Sequence, residues 1–438
     1  MTDIKMKTVV PALLSNPPVL NARIVEARGV IVRVVGASLR IGEMVRLTRP
    51  DALETQIGEV VGFTQDGALV VPLDGLAGLS NITQVEGCGL GWGRFDAPAL
   101  LGRVIDGLGR PLDGGDAPEA ASGPSSTPML PQINPLERPV ISAPFATGVR
   151  AIDGLLSCGV GQRVGIFAPA GGGKSTLMGM IANGAAVDAI VVALIGERGR
   201  EVGEFIHDHL GARRSSSVVI VSTSERPAAE RIKAAELACS VASDLRAQGR
   251  QVLLLFDSLT RYARALREVG LAVGEPPVRR GYPPRVFAEL PKLIETAGLT
   301  QQGAVTAFFT VLAEDEEMSD PIAEESRSLL DGHIALSGRL GAAGHYPAID
   351  VLKSKSRVMT RVTTSTHREE ANRVRGWMSR YQEIELLLQI GEYRRGNDAA
   401  SDVAIDRHPM VERFLRQRHD EYCSWQQTLA SLRTLARG

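Results

Sequence analysis

The chain has 438 residues, 44% apolar and 23% charged, with 49 basic against 50 acidic side chains and a formal net charge of -1. That excludes a disordered chain and a globally basic nucleic-acid coat, and at ~150 residues per domain it leaves room for about three domains. Aromatic residues make up only 4%, which argues against base-stacking platforms, while 46 glycines point to many tight turns.

Cys88, Cys158, Cys239 and Cys423 form no CxxC pair, so a reducing compartment is expected, with neither a disulfide framework nor a zinc site. The start, Met1 to Lys7, lacks the pattern of a signal peptide. Apolar runs such as Ala189 to Ile195 fall well short of the ~18 residues of a membrane span. The expected location is cytoplasmic, with any membrane association made through partners.

From residue 20 to 85, short apolar stretches (Val30 to Val32, Met44 to Leu47, Leu69 to Val71) alternate with turn signals at Gly36, Gly42, Asp66-Gly67 and Asp74-Gly75. Short strands at this spacing predict a small β-barrel or sandwich. Gly114 to Pro139 is rich in Ser, Pro, Gly and Ala and reads as a long surface connection. Continuous apolar runs then appear at Val164 to Ala168, Ile190 to Ile195, Val218 to Val221, Val252 to Phe256 and Val305 to Leu312. Runs without alternation are expected of parallel strands buried on both faces, so this block predicts an α/β sheet. Beyond residue 362 only four of the 46 glycines remain. Thr366 and Glu369 are read as a capping box opening a helix through Val374, Trp377, Tyr381 and Leu388, with Gly391 as its stop. A second amphipathic pattern runs from Val411 to Leu432. The chain therefore divides into a barrel (1–85), an α/β-sheet domain (86–361) and a helical domain (362–438).

Chemistry concentrates in the middle block. Ala170-Gly171-Gly172-Gly173-Lys174-Ser175-Thr176 follows a predicted strand and opens a helical stretch. Glycines let backbone N–H groups turn inward around phosphate oxygens, a lysine reaches the terminal phosphates, and a hydroxyl holds Mg²⁺. The helix N-terminus adds a favourable dipole. Val252 to Asp257 reads as a Walker B strand, an apolar run that leaves a carboxylate at the sheet edge to orient the metal. Glu197, in Gly196-Glu-Arg-Gly-Arg-Glu201, also stands at a strand end, where a carboxylate can polarise water and the neighbouring Arg198 can meet phosphate. Spacing alone leaves a solvated charged loop equally open there.

Further segments carry a resemblance. Gly196 to Glu201, Gly281-Tyr-Pro-Pro, Phe287 to Pro291, Asp331-Gly-His, Tyr346 to Asp350 and Ser354-Lys-Ser-Arg357 resemble the rotary-type hexameric ATPases, in matching order. Gly102 to Gly114, Gly148 to Leu155 and Ile390-Gly-Glu-Tyr are similar to the export ATPases of type III secretion and flagella, and the phosphate loop is closer to the injectisome version. The resemblance spans roughly residues 20 to 420. It implies a RecA-like α/β core with an N-terminal barrel and a C-terminal helical domain, hydrolysing ATP with Mg²⁺ to energise protein export.

The resemblance also implies residue roles. Glu197 orients the hydrolytic water, Arg198 is a γ-phosphate ligand, Arg357 is a finger supplied to the neighbouring subunit, and Tyr346 stacks on adenine. Implied partners are a homohexameric ring, a central stalk, a peripheral regulator, the membrane export gate and chaperone–cargo complexes; the few aromatics and balanced charge lead to no nucleic acid being expected. Arg285 departs from the small residue usual in relatives. With Arg279 and Arg280 it forms a basic cluster, read either as a salt-bridged loop or as a border of the central pore. Gly341 to Gly344 is blander than the charged segment of relatives. His207 and His209 face apart on a helix and are not expected to bind metal. Asp315 to Glu317 is expected to be a solvated loop. The arginines at 407, 413, 416, 418, 433 and 437 are expected to solvate a helical face or pair with acidic partners. Rival readings are the flagellar export enzyme, a ring-shaped nucleic-acid motor and a non-catalytic nucleotide-binding scaffold.

Overall fold

A computed structural model describes residues 22–50, 55–90, 95–118, 130, 133–169, 171–313 and 320–437. Among the described residues six strands come first: β1 (Ala22–Arg28), β2 (Ile31–Val35), β3 (Glu43–Thr48), β4 (Thr55–Thr64), β5 (Gly67–Pro72) and β6 (Gln84–Leu90). They close into a barrel in the order β1-β2-β5-β4-β3-β6. Val32, Val34, Val45, Leu47, Val60 and Val70 fill its interior, as period-two alternation requires. The Asp66-Gly67 signal marks the β4–β5 hairpin; Gly67 has φ +154°, and a Cβ there would lie 2.4 Å from the Val34 carbonyl oxygen. The boundary expected at residue 85 falls inside β6, because the barrel needs this whole strand to pair with β3.

The middle block is a mostly parallel sheet. Its edge strand β7 (Val104–Asp106) comes before the connection rich in small residues and is too short for its pattern to be read in the sequence. A two-stranded ladder, β8 (Pro144–Phe145) and β9 (Cys158–Gly159), brackets helix α1 (Arg150–Leu155). Strands β10 (Arg163–Ala168), β11 (Ala189–Ile195), β12 (Ser217–Ser222) and β13 (Gln251–Asp257) follow. After them come β14 (Gly298–Leu299), β15 (Ala304–Leu312), β16 (Gly332–Leu336) and β17 (Ile349–Ser356). The order β17-β16-β10-β15-β13-β11-β12-β7 is parallel except for β17; β14 pairs antiparallel with β15 off this path.

Both faces of this sheet are covered, so β10, β11, β12, β13 and β15 read as nearly continuous apolar runs. One face carries α4 (Ala228–Ala247), α5 (Leu259–Val273) and α6 (Pro284–Ile294). The other carries α2 (Lys174–Gly184) and the C-terminal helices. Short helices α3 (Gly199–Glu204), α7 (Pro321–Leu329), α8 (Gly338–Ala342) and α9 (Met359–Val362) sit in the connections.

The helical domain comprises α10 (Ser365–Gln389), α11 (Ala399–Leu415) and α12 (Trp425–Arg437). The capping box expected at Thr366 and Glu369 is corrected. Thr364 caps α10, its hydroxyl accepting from the His367 N–H at 3.3 Å, which places Thr366 inside the first turn. Thr364 has extended backbone (ψ 161°) where the chain turns into the helix. Gly391, at φ +74°, follows the helix end as expected. The second amphipathic pattern spans two helices, α11 and α12. Between them Arg150 reaches out of α1 to the carbonyls of Phe414 and Arg416, the Glu421 carboxylate and the Cys423 thiol, holding an irregular segment against the sheet domain.

Candidate functional site

Strand β10 ends at Ala168, and the chain turns through Gly171 and Gly173, with φ +74° and +81°, into α2. These left-handed conformations are what glycine permits at little cost, and they bring the loop's backbone around the N-terminus of α2. Lys174 begins the helix, followed by Ser175 and Thr176, both half-buried. Ala170 lies outside the described residues.

The ends of β11 and β13 bring Glu197 and Asp257 to the same place. Lys174 Nζ donates to Glu197 Oε1 at 2.9 Å and to Asp257 Oδ1 at 2.7 Å. Both carboxylates are buried, at 2% and 3% exposure. The Glu197 loop is pinned by the Gly196 N–H to the Ser222 carbonyl at 2.6 Å and by the Ser224 N–H to the Glu197 carbonyl at 3.0 Å. The Thr310 hydroxyl on β15 donates to Asp257 Oδ1 at 2.5 Å. Burial alone would push the Lys174 ammonium down, but the adjoining Asp257 and Glu197 carboxylates outweigh it and hold it above its ordinary value. Burial pushes the Asp257 carboxyl up, with Lys174 opposing and Glu197 reinforcing the rise.

Arg261 completes the cluster and was missed from sequence. Its Nη2 donates to Glu197 Oε2 at 3.0 Å, and its other terminal nitrogen donates to the Gly196 carbonyl. The missed signal was positional. Asp257 ends a strand, the Ser258 hydroxyl accepts from the Arg261 N–H as a helix cap, and a residue in the first turn of α5 stays at the ligand end of the sheet.

Tyr346 sits on the loop joining β16 to β17, at the same end of the sheet. Its ring is half-exposed, and a Cβ built on Gly173 would lie 3.8 Å from its Cε1. A cavity of about 430 Å³ opens beside it, lined by Gly173, Thr176, Leu177, Met180 and Pro347, with Gln417 contributed by the helical domain.

Two expected site residues are not brought to this cluster. Arg198 projects outward with its side chain 79% exposed, 3.6 Å from Glu201. Arg357 is exposed at the opposite end of the sheet. Its N–H bonds the Asp331 carbonyl, and the Asp331 N–H bonds the carbonyl of Arg163, the first residue of β10. At ~3.3 Å per residue, the length of β10 separates that end from the phosphate loop by roughly 17 Å. The fold therefore does not bring Arg357 and Lys174 of one chain together.

The remaining candidates are also placed. Arg279 pairs with Glu324 on α7 and lies 5.9 Å over the Phe287 ring, so this part of the basic cluster is salt-bridged. Gly341 and Ala342 end α8, and a Cβ on Gly341 would lie 3.7 Å from the Tyr346 hydroxyl. Asp315 to Glu317 lies outside the described residues. Among the tail arginines, Arg407 lies over Trp377, while Arg416, Arg418 and Arg433 pair with Glu412, Asp420 and Glu370. Among the described residues, no group of three or more His, Cys, Asp or Glu side chains is arranged to hold a metal ion.

Comparison with known proteins adds identity to this geometry. Residues 148–356 match the ATP synthase alpha/beta family nucleotide-binding domain, and residues 363–434 match the T3SS EscN ATPase C-terminal domain. The type 3 secretion system ATPase of Xanthomonas euvesicatoria is 50% identical over 94% of this chain and 92% of its own. The flagellum-specific ATP synthase of Bacillus subtilis is 43% identical over 93% of each. The assembled ATPase EscN of enteropathogenic E. coli, 44% identical, superposes with a TM-score of 0.89 over 95% of this chain and 100% of its own. Its complex with the central stalk EscO gives a TM-score of 0.86 over the same shares.

Proposed function

This chain belongs to the family of type 3 secretion system ATPases, and from that premise we propose how its residues hydrolyse ATP to drive protein export. The observation that carries the reading is Lys174 bridging Glu197 and Asp257 at the mouth of the phosphate loop. When nucleotide enters, the lysine turns to the terminal phosphates, and both carboxylates are released for their own roles. Glu197, oriented by Arg261, accepts a hydrogen bond from the attacking water and takes its proton. Gly171, Gly172, Gly173 and Thr176 surround the phosphates, with Ala170 assigned to the same loop by sequence. Tyr346 stacks on the base.

Mg²⁺ fits this site as a shared ligand rather than a caged one. Ser175 and Asp257 would hold it together with phosphate oxygens and waters, as its preference for retained water requires. In that position Mg²⁺ would supply positive charge to offset the negative charge of the phosphates. Arg198 would reach phosphate only by turning inward from its exposed position.

Arg357 serves a neighbouring copy, which its position at the far end of the sheet supports. A finger of this kind is worth ~10³–10⁵ in related phosphoryl transfers. A homohexamer follows as the working form, and the similarity to assembled EscN supports it. The similarity to EscN with its stalk supports a central stalk partner here. A peripheral regulator, the export gate and chaperone–cargo complexes, released and unfolded at the cytoplasmic base, complete the proposal. Among the described residues no helix is long and apolar enough to cross a membrane, in keeping with a peripheral position at the inner membrane. An injectisome is favoured over a flagellum by the match of residues 363–434 to the T3SS EscN ATPase C-terminal domain, and by 50% and 48% identity to two type 3 secretion relatives against 44% and 43% to two flagellum-specific ones. The test is specific ATPase activity against protein concentration. A steep rise coinciding with ring formation is expected, and a flat profile refutes a finger acting between subunits.

A further inference from the structure

The Tyr346 loop is gripped by the helical domain at two points. The Gln417 N–H, just past α11, donates to the Tyr346 carbonyl at 2.9 Å. Gln417 is itself locked, its side chain accepting from the Arg150 N–H at 2.9 Å and donating to the Gly148 carbonyl at 2.7 Å. The second grip is a side-chain pair. His345, directly before Tyr346, is 2% exposed, and its Nδ1 lies 3.0 Å from Glu412 Oε2 on α11. Its other nitrogen, Nε2, is buried with no hydrogen-bond partner among the described residues, so the Glu412 contact is the ring's polar anchor. The imidazole contact, with burial opposing, holds the Glu412 carboxyl below the usual carboxylate range, as a charge-assisted bond does. Glu412 also lies 3.4 Å from Arg416.

These contacts leave the Tyr346 ring half-exposed over the phosphate loop while its backbone is fixed on both sides. We infer that the His345–Glu412 pair is a positioning contact that sets Tyr346 against the phosphate loop and so tunes affinity for the base of the nucleotide. The inference rests on the reading of Tyr346 as the base-stacking residue. Its physical content is that a ring on a loosened loop gives up part of its stacking, whereas the triphosphate contacts, made by α2 and its loop, are untouched.

The full chain is tested with ATP and with inorganic tripolyphosphate, which carries no base. Glu412→Ala is expected to raise the Kd and KM for ATP about three- to tenfold, the range of one hydrogen bond, with kcat within about twofold and tripolyphosphate affinity unchanged. Glu412→Gln, which keeps an acceptor for Nδ1–H and guards against a folding defect, should recover most of the loss. In a Tyr346→Ala background, Glu412→Ala should add nothing. Equal weakening of ATP and tripolyphosphate, or an effect that persists without Tyr346, overturns the inference. Tyr346→Ala with wild-type ATP affinity overturns the stacking reading and the inference with it. A Tyr346-dependent site indifferent to Glu412→Ala overturns the inference alone.

Discussion

Replacing Lys174 by Met removes the ammonium from between two buried carboxylates while keeping the stem's bulk. The cluster of Lys174, Arg261, Glu197 and Asp257 is formally neutral, and the substitution leaves it one negative charge in excess. Glu197 keeps Arg261 at 3.0 Å, but among the described residues Asp257 keeps only the Thr310 hydroxyl as a side-chain partner. Lys174 and Asp257 are 2.7 Å apart, closer than the ~4 Å at which two unit charges attract by roughly 4 kcal/mol at an effective dielectric of about 20. Stranding one partner of a buried pair costs about 3–5 kcal/mol. The pH dependence fixes the cause. The Asp257 carboxyl already lies above its ordinary value in the folded state, so its contribution to stability falls as pH rises from the ordinary carboxylate range, near 4, through that raised value. Removing Lys174 raises it further and enlarges the loss. In nucleotide-free buffer, urea unfolding followed by circular dichroism should therefore show Lys174→Met less stable than the parent by about 3–5 kcal/mol at pH 8 and by clearly less at pH 5. Adding Asp257→Asn should return most of the difference. Equal stability of variant and parent at pH 8, or a deficit identical at both pH values, would refute the electrostatic account of the site.

Arg357→Ala and Lys174→Met should each lack ATPase activity, yet a mixture of the two should regain a fraction of it. An intact phosphate loop on one chain can then be completed by the finger of its neighbour, and mixtures as inactive as their parts would count against sharing between subunits. Lys233→Met tests the joint between barrel and sheet domain. Lys233 Nζ on α4 lies 2.9 Å from both Glu59 of β4 and Glu236, and its loss should cost about 3–5 kcal/mol. Hydrogen exchange should then show barrel amides losing protection ahead of the central sheet; unchanged barrel protection would mean the joint rests on other contacts.

The sequence by itself determined the three-part architecture, because each part carries its own period: short alternating strands, continuous apolar runs, then helical spacing with few glycines. It also exposed the phosphate loop, since Gly171 to Ser175 meets a chemical need with contiguous residues. Glu197 and Asp257 were legible as carboxylates at strand ends, although nothing local placed them on one lysine. That needed the sheet order, which sets β10, β15, β13 and β11 side by side so that their ends converge. Arg261 escaped for the same reason, because its partner stands on another strand. The positions of the α10 cap and of the break between α11 and α12 were also beyond the sequence. Several hydroxyls competed for the cap, and the break depends on Arg150 from a distant helix. Tertiary structure alone decided that Arg357 stands a strand length from its own phosphate loop. It alone also showed that the helical domain, through Glu412 and Gln417, holds the loop that carries Tyr346. Contiguous chemistry can be read along a chain; chemistry assembled from several strand ends exists only once the sheet has formed.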